Sequence, residues 1–114
     1  MSAATILVVD DDVAIRGLVR LVLEDEGYDV VEAENGASGL EVAEHHRPDL
    51  IVLDLAMPVM DGRTFFKRIR ASRCRDVPVI VVSALTEGRE VGADAALEKP
   101  FDPDALVAEV ERLL

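Results

Sequence analysis

Residues 6–12 read Ile6-Leu7-Val8-Val9-Asp10-Asp11-Asp12. Four apolar residues in a row, three of them β-branched, carry no polar alternation. Such a run describes a strand covered on both faces, as in a parallel sheet flanked by helices. Leu50 to Leu53 and Val77 to Val82 repeat the pattern, and Tyr28 to Ala33 and Ala95 to Glu98 are weaker versions of it. Between these runs the apolar residues recur at helical spacing. They are Ile15, Val19, Val22 and Leu23 in 13–26; Ala37, Leu40 and Ala43 in 37–46; Phe65 and Ile69 in 63–72; and Leu106, Val107, Val110, Leu113 and Leu114 in 103–114. Gly27 offers a helix C-cap, and Asp102 with Pro103 an N-cap followed by a first-turn proline. A β-α order repeated five times, joined by right-handed crossovers, gives an α/β fold: one doubly wound, five-stranded parallel sheet between two helical layers.

The bulk figures agree with one domain over residues 1–114, and exclude several function classes. Half of the 114 residues are apolar and 31% are charged, which excludes a disordered chain, a fibre and a membrane protein. Twelve basic against 23 acidic residues give a net charge of −11, so no nucleic acid is expected as a direct ligand. Cys74 is the only cysteine, so no internal disulfide can form, and the start Met1-Ser2-Ala3-Ala4 lacks the basic region of a signal peptide. The expected location is cytoplasmic.

Ligands of open α/β sheets bind beyond the carboxyl ends of the strands. The first strand ends in Asp10-Asp11-Asp12, the third in Asp54, the fourth in Ser83 and the fifth in Lys99. A lone aspartate at a strand end usually caps a helix or forms a turn, and Asp12 is expected to do so. The joint pattern is harder to obtain by chance. Asp10, Asp11 and Asp54 would form an all-oxygen site suited to Mg2+ or Mn2+, with room for a phosphate oxygen. Lys99 and Ser83 would add an ammonium and a hydroxyl. The predicted chemistry is phosphoryl transfer with Asp54 as the oxygen nucleophile.

These residues resemble a family. Ile6-Leu-Val-Val-Asp-Asp-Asp12, Pro48-Asp-Leu-Ile-Val-Leu-Asp54 followed by Met57-Pro58 and Asp61-Gly62, Pro78-Val-Ile-Val-Val-Ser83 and Glu98-Lys99-Pro100-Phe101 are similar to the motifs of two-component response-regulator receiver domains, in the same order. The resemblance implies a flavodoxin-like sheet of strand order 2-1-3-4-5. It also implies that Asp54 takes a phosphoryl group from a phosphohistidine of a histidine kinase or histidine phosphotransfer protein. Asp11, Asp54 and the backbone carbonyl of Ala56 would bind Mg2+ directly, and Asp10 through water. Lys99 and Ser83 would contact phosphoryl oxygens, and the bond before Pro100 is expected to be cis. Such a chain is a phosphoacceptor that assists its own phosphorylation and dephosphorylation, not an enzyme with an external substrate, and a downstream protein target would read the switch.

Three departures from the family pattern matter. Lys99 follows Ser83 by 16 positions, about six fewer than usual, or roughly one and a half helical turns. The fourth helix is therefore expected to be shortened or missing. The usual dimer face of fourth helix, fifth strand and fifth helix is not to be assumed. Ala96 stands where receivers often have an aromatic residue, so the usual aromatic relay is not expected. Ala56 and Leu85 offer no polar side chain to orient an attacking water, which predicts slow autodephosphorylation.

Outside the site, Ala14, Leu18 and Leu21 add a second apolar stripe to the first helix, with Ile15 between the two stripes, and these four are read as a docking face for a kinase helix pair. Arg63, Lys67, Arg68, Arg70, Arg73 and Arg75 are read as a solvated basic face and exit loop, adjacent His45 and His46 as no shared site, and Cys74 as a loop thiol. Two rival functions are a phosphorylation-independent receiver-like interaction module and a Mg2+-dependent aspartyl-phosphate phosphatase. The latter often needs a second aspartate where this chain has Ala56.

Overall fold

The computed structural model describes residues 3–55, 60–83 and 92–114. In chain order these form β1 (Thr5–Val9), α1 (Val13–Asp25), β2 (Asp29–Ala33), α2 (Gly36–His46), β3 (Leu50–Asp54), α3 (Gly62–Arg70), β4 (Val79–Ser83), β5 (Ala95–Glu98) and α4 (Pro103–Leu113). The five strands pair in parallel in the order β2-β1-β3-β4-β5. Every predicted strand and helix is present within the described residues, and the ends differ by up to two residues. The expected shortening of a helix between Ser83 and Lys99 lies largely on residues 84–91, outside the described residues. Gly92 to Asp94 lead directly into β5.

The continuous apolar strands supply both faces of the sheet at once. Successive side chains point to opposite sides, so Leu7, Val9, Ile51, Leu53, Val79 and Val81 enter one core, with Phe65, Phe66 and Ile69 of α3 and Ala43 of α2. Ile6, Val8, Leu50, Val52, Ile80 and Val82 enter the other, with Val19 and Leu23 of α1 and Leu106 and Val110 of α4. A Cβ on Gly39 of α2 would stand 2.9 Å from the Phe65 ring, so the missing side chain is what admits that ring.

Each helix start has an acceptor for its orphan amides. Asp12 accepts from the N–H groups of Ala14 and Ile15, Asn35 from Ser38, Asp61 from Thr64 and Asp102 from Asp104. Such caps stabilise by about 0.5–2 kcal/mol each, and they set where each loop turns away from the sheet. Gly27 follows the end of α1 at φ 94°, a left-handed turn that favours glycine.

Cys74 lies in the turn after α3, as read from the sequence, but it is not at the surface. Its side chain is buried in the α2–α3 core, with Sγ 3.8 Å from the Ala43 carbonyl. The turn around it folds inward because a thiol behaves as a small apolar group. Arg70 also departs from the solvated-face reading: it donates to the carbonyls of Arg75 and Val77 and to Asp94, and lies over the Phe66 ring.

Candidate functional site

The crossover topology brings the carboxyl ends of β1, β3, β4 and β5 to one edge of the sheet. Asp10 follows β1, Asp54 closes β3, Ser83 closes β4 and Lys99 follows β5. Asp10, Asp54 and Ser83 are buried, whereas Asp11 faces solvent. Carboxylate oxygens of Asp10, Asp11 and Asp54 lie within 4.8 Å of one another. Among the described residues this is the one group of three or more acids, histidines or cysteines so converged. Lys99 Nζ stands 3.7 Å from Asp10 Oδ2 and 3.6 Å from Asp54 Oδ2.

Each side chain is aimed by its own backbone. Asp10 Oδ1 accepts the Asp12 N–H at 2.9 Å, and the Asp10 N–H donates to the Ala33 carbonyl of β2. The Lys99 N–H donates to the Ser83 carbonyl at 2.7 Å, which carries the β4–β5 ladder one residue past its end. The Lys99–Pro100 bond is cis, as expected.

Burial raises the pKa of the Asp10 carboxyl above its ordinary value, and the Asp11 charge adds to this. The Asp12 N–H and the Lys99 ammonium pull in the opposite direction. Three carboxylates so close together, with one ammonium beside them, offer only oxygen donors to a cation.

Gly62 fixes the far side of Asp54. Its N–H donates to the Leu55 carbonyl, and a Cβ there would meet the Asp54 carbonyl oxygen and the Leu55 Cα at 2.6 Å. Both neighbours are backbone and cannot give way, so Gly62→Ala is expected to destabilise by about 1–3 kcal/mol in urea unfolding. Gly17→Ala is the control. It sits in α1 with open space around it and is expected to stabilise by about 0.5–1 kcal/mol.

Of the predicted site residues, Asp10, Asp11, Asp54 and Lys99 converge, and Ser83 lies at the same sheet edge. The Ala56 carbonyl lies outside the described residues. On α1, Ala14, Leu18 and Leu21 are exposed, while Ile15 is half-buried and packs against the α1–α4 core. Ile15 therefore belongs partly to the core rather than wholly to a docking face. Val13, the first residue of α1, is 72% exposed. Arg16, Glu32 and Asp94 were missed. Asp94 accepts from the Val79 N–H and from Arg70, tying the entry of β5 to the start of β4. Only the fold brings such partners together.

Comparison with known proteins places this geometry. The family described as "Response regulator receiver domain" matches residues 6–111. The DNA-binding dual master transcriptional regulator RpaA of Synechocystis is 44% identical over 96% of this chain and 48% of its own length. The phosphate regulon transcriptional regulatory protein PhoB of Escherichia coli is 40% identical over 98% of this chain and 52% of its own. The chain thus spans about half the length of these curated relatives. Chemotaxis protein CheY4 of Vibrio cholerae superposes with a TM-score of 0.91 at 38% identity, over 99% of this chain and all of that one. Response regulator TrrA of Thermotoga maritima, solved in complex with Mg2+ and BeF, superposes with a TM-score of 0.89 at 35% identity, with both chains fully covered.

Proposed function

This chain belongs to the response regulator receiver family of two-component systems, and from that premise we propose that Asp54 is its phosphoacceptor. The observation that carries the reading is the placement of Asp54: buried at the end of β3, with Lys99 Nζ 3.6 Å away and two further carboxylates converged on it. A carboxylate oxygen of Asp54 attacks the phosphorus of a phosphohistidine. The new P–O bond forms as the P–N bond breaks, and the imidazole leaves with that electron pair and takes a proton from solvent. Lys99 neutralises charge on the transferred group, and Ser83 donates its hydroxyl to another phosphoryl oxygen.

Asp10, Asp11 and Asp54 offer only hard oxygen donors within the span of one ion, which fits Mg2+. Bound there, Mg2+ would supply charge neutralisation for the phosphoryl oxygens. The Mg2+–BeF complex of TrrA supports carrying this chemistry over. The partner supplying the phosphoryl group is a histidine kinase or a phosphotransfer protein, and the exposed apolar stripe of Ala14, Leu18 and Leu21 on α1 is where it docks. The added phosphoryl charge favours whichever conformation brings Lys99 and Ser83 closest, and a downstream protein target reads that shift. We place the protein in the cytoplasm, where such kinases present their phosphohistidine; among the described residues no helix is long and apolar enough to cross a membrane.

The test is direct. Incubation with Mg2+ and acetyl phosphate, followed by intact-mass measurement, is expected to give one phosphoryl adduct that EDTA prevents and that Asp54→Ala lacks. No adduct at saturating acetyl phosphate would put the phosphorylation-independent module ahead.

A further inference from the structure

The Asp10-Asp11-Asp12 turn is held by more than its own caps. Arg16, in the first turn of α1, is largely buried and donates through Nη1 to the Asp10 backbone carbonyl at 2.7 Å. Its Nε donates to Glu32 Oε1 of β2 at 2.9 Å. The other Glu32 oxygen accepts from Arg20, one turn further along α1, and Arg20 also pairs with Glu24. The two guanidinia, Arg20 foremost, hold the Glu32 carboxyl below its usual range. One planar fork therefore bridges the carbonyl at the end of β1 and a carboxylate on the neighbouring strand. Both bonds fix the rotation of the backbone from which Asp10 and Asp11 project.

We propose that Arg16 is a positioning residue for the acidic site, holding the Asp10 carbonyl against Glu32 so that the Asp10 and Asp11 carboxylates are set to receive a divalent cation. This rests on the metal reading given above and adds to it a residue outside the ligand set. Groups that orient metal ligands without touching the metal govern affinity because a ligand free to rotate must be ordered when the ion binds. Arg16 suits the role because a guanidinium presents several donors in a rigid plane, which a flexible ammonium does not.

Charge and geometry predict opposite signs here. Arg16 is a cation near the acidic site. If it acted only through its charge, removing it would strengthen the binding of Mg2+. If it acts by positioning, removing it weakens the binding. Arg20 separates the two further: it shares Glu32 but makes no bond to Asp10.

The experiment is calorimetric titration of the metal-free protein with MgCl2, with no phosphodonor present. Arg16→Met is expected to raise the Kd for Mg2+ by about tenfold or more, while Arg20→Met stays near the unsubstituted value although it too loses an ion pair to Glu32. Arg16→Lys keeps the charge and the stem and serves if Arg16→Met folds poorly. One ammonium cannot hold both acceptors as the fork does, so its affinity is expected to fall as well. Unchanged or tighter binding in the Arg16 variants, or an equal loss in Arg20→Met, overturns the positioning role. Failure of the unsubstituted protein to bind Mg2+ overturns the metal reading and this inference together. Normal binding by the unsubstituted protein with no effect at Arg16 overturns this inference alone.

Discussion

Phe65→Ala is expected to destabilise the protein by about 3–5 kcal/mol. Phe65 is the largest fully buried side chain among the described residues. It lies in the core formed by α2, α3 and one face of the sheet, with Leu7, Val9, Leu53 and Ile69 in the same cluster. Its ring fills the space left by the absent side chain of Gly39, where a Cβ would approach it to 2.9 Å. Truncation therefore removes apolar burial and also leaves a gap that rigid strands cannot close. A domain of this length has a total stability of about 6–17 kcal/mol, so the loss is a large fraction of it. Thermal melting is expected to fall by on the order of 10–25 °C. Gly39→Ala tests the same contact from the other side and is expected to destabilise by about 1–3 kcal/mol. A Phe65→Ala melting point within a few degrees of the unsubstituted protein would mean that the α2–α3 core is not packed as described.

Asp10→Asn is expected to do two things of opposite sense: raise the melting temperature in metal-free buffer, and weaken Mg2+ binding by about 10–100-fold. The first follows from linkage. Burial raises the Asp10 carboxyl above its ordinary value of 3.8, so the folded state holds this proton more tightly than the unfolded state does. Stability then falls as pH rises from the unfolded value through the raised folded one, and the loss persists at neutral pH. Asparagine removes that burdened charge. It keeps an Oδ1 to accept the Asp12 N–H, and Lys99 retains Asp54 as its partner. The gain is therefore expected at pH 7 and should vanish below the ordinary aspartate pKa. The second effect follows because a neutral amide is a poorer partner for a hard cation. Saturating Mg2+ should stabilise the unsubstituted protein much more than the variant. A lower melting temperature for Asp10→Asn in EDTA at neutral pH would contradict the assignment of Asp10 as an acid whose charged form burial disfavours.

How much was legible follows from the range over which each feature is encoded. The uninterrupted run Ile6 to Val9 announced a two-faced strand because strand periodicity is a property of neighbouring residues. Asp12, Asp102 and Pro103 announced helix starts for the same reason: a cap bonds two or three residues away. The convergence of Asp10, Asp54 and Lys99 could also be reached, once a parallel sheet was assumed, because strands that all run the same way have their carboxyl ends at one edge. The burial of Cys74 was not legible because its turn has no local apolar pattern, and that burial depends on α2 packing against it. Ile15, which helical spacing puts between the core stripe and the exposed one, is half-buried as that position requires.

The sequence by itself determined the α/β class, which residues close the strands and where the helices start, since periodicity and capping act within a few residues along the chain; it offered Asp10, Asp11, Asp54, Ser83 and Lys99 as candidates only through the assumed parallel sheet. Only the tertiary structure decided that Lys99 stands between two buried carboxylates, that Gly62 presses on the Asp54 backbone and that Arg16 spans from the Asp10 carbonyl to Glu32. The physical reason is distance along the chain. Such contacts join residues from different elements, and they come into being only when the packing of apolar faces on both sides of the sheet sets the register between them.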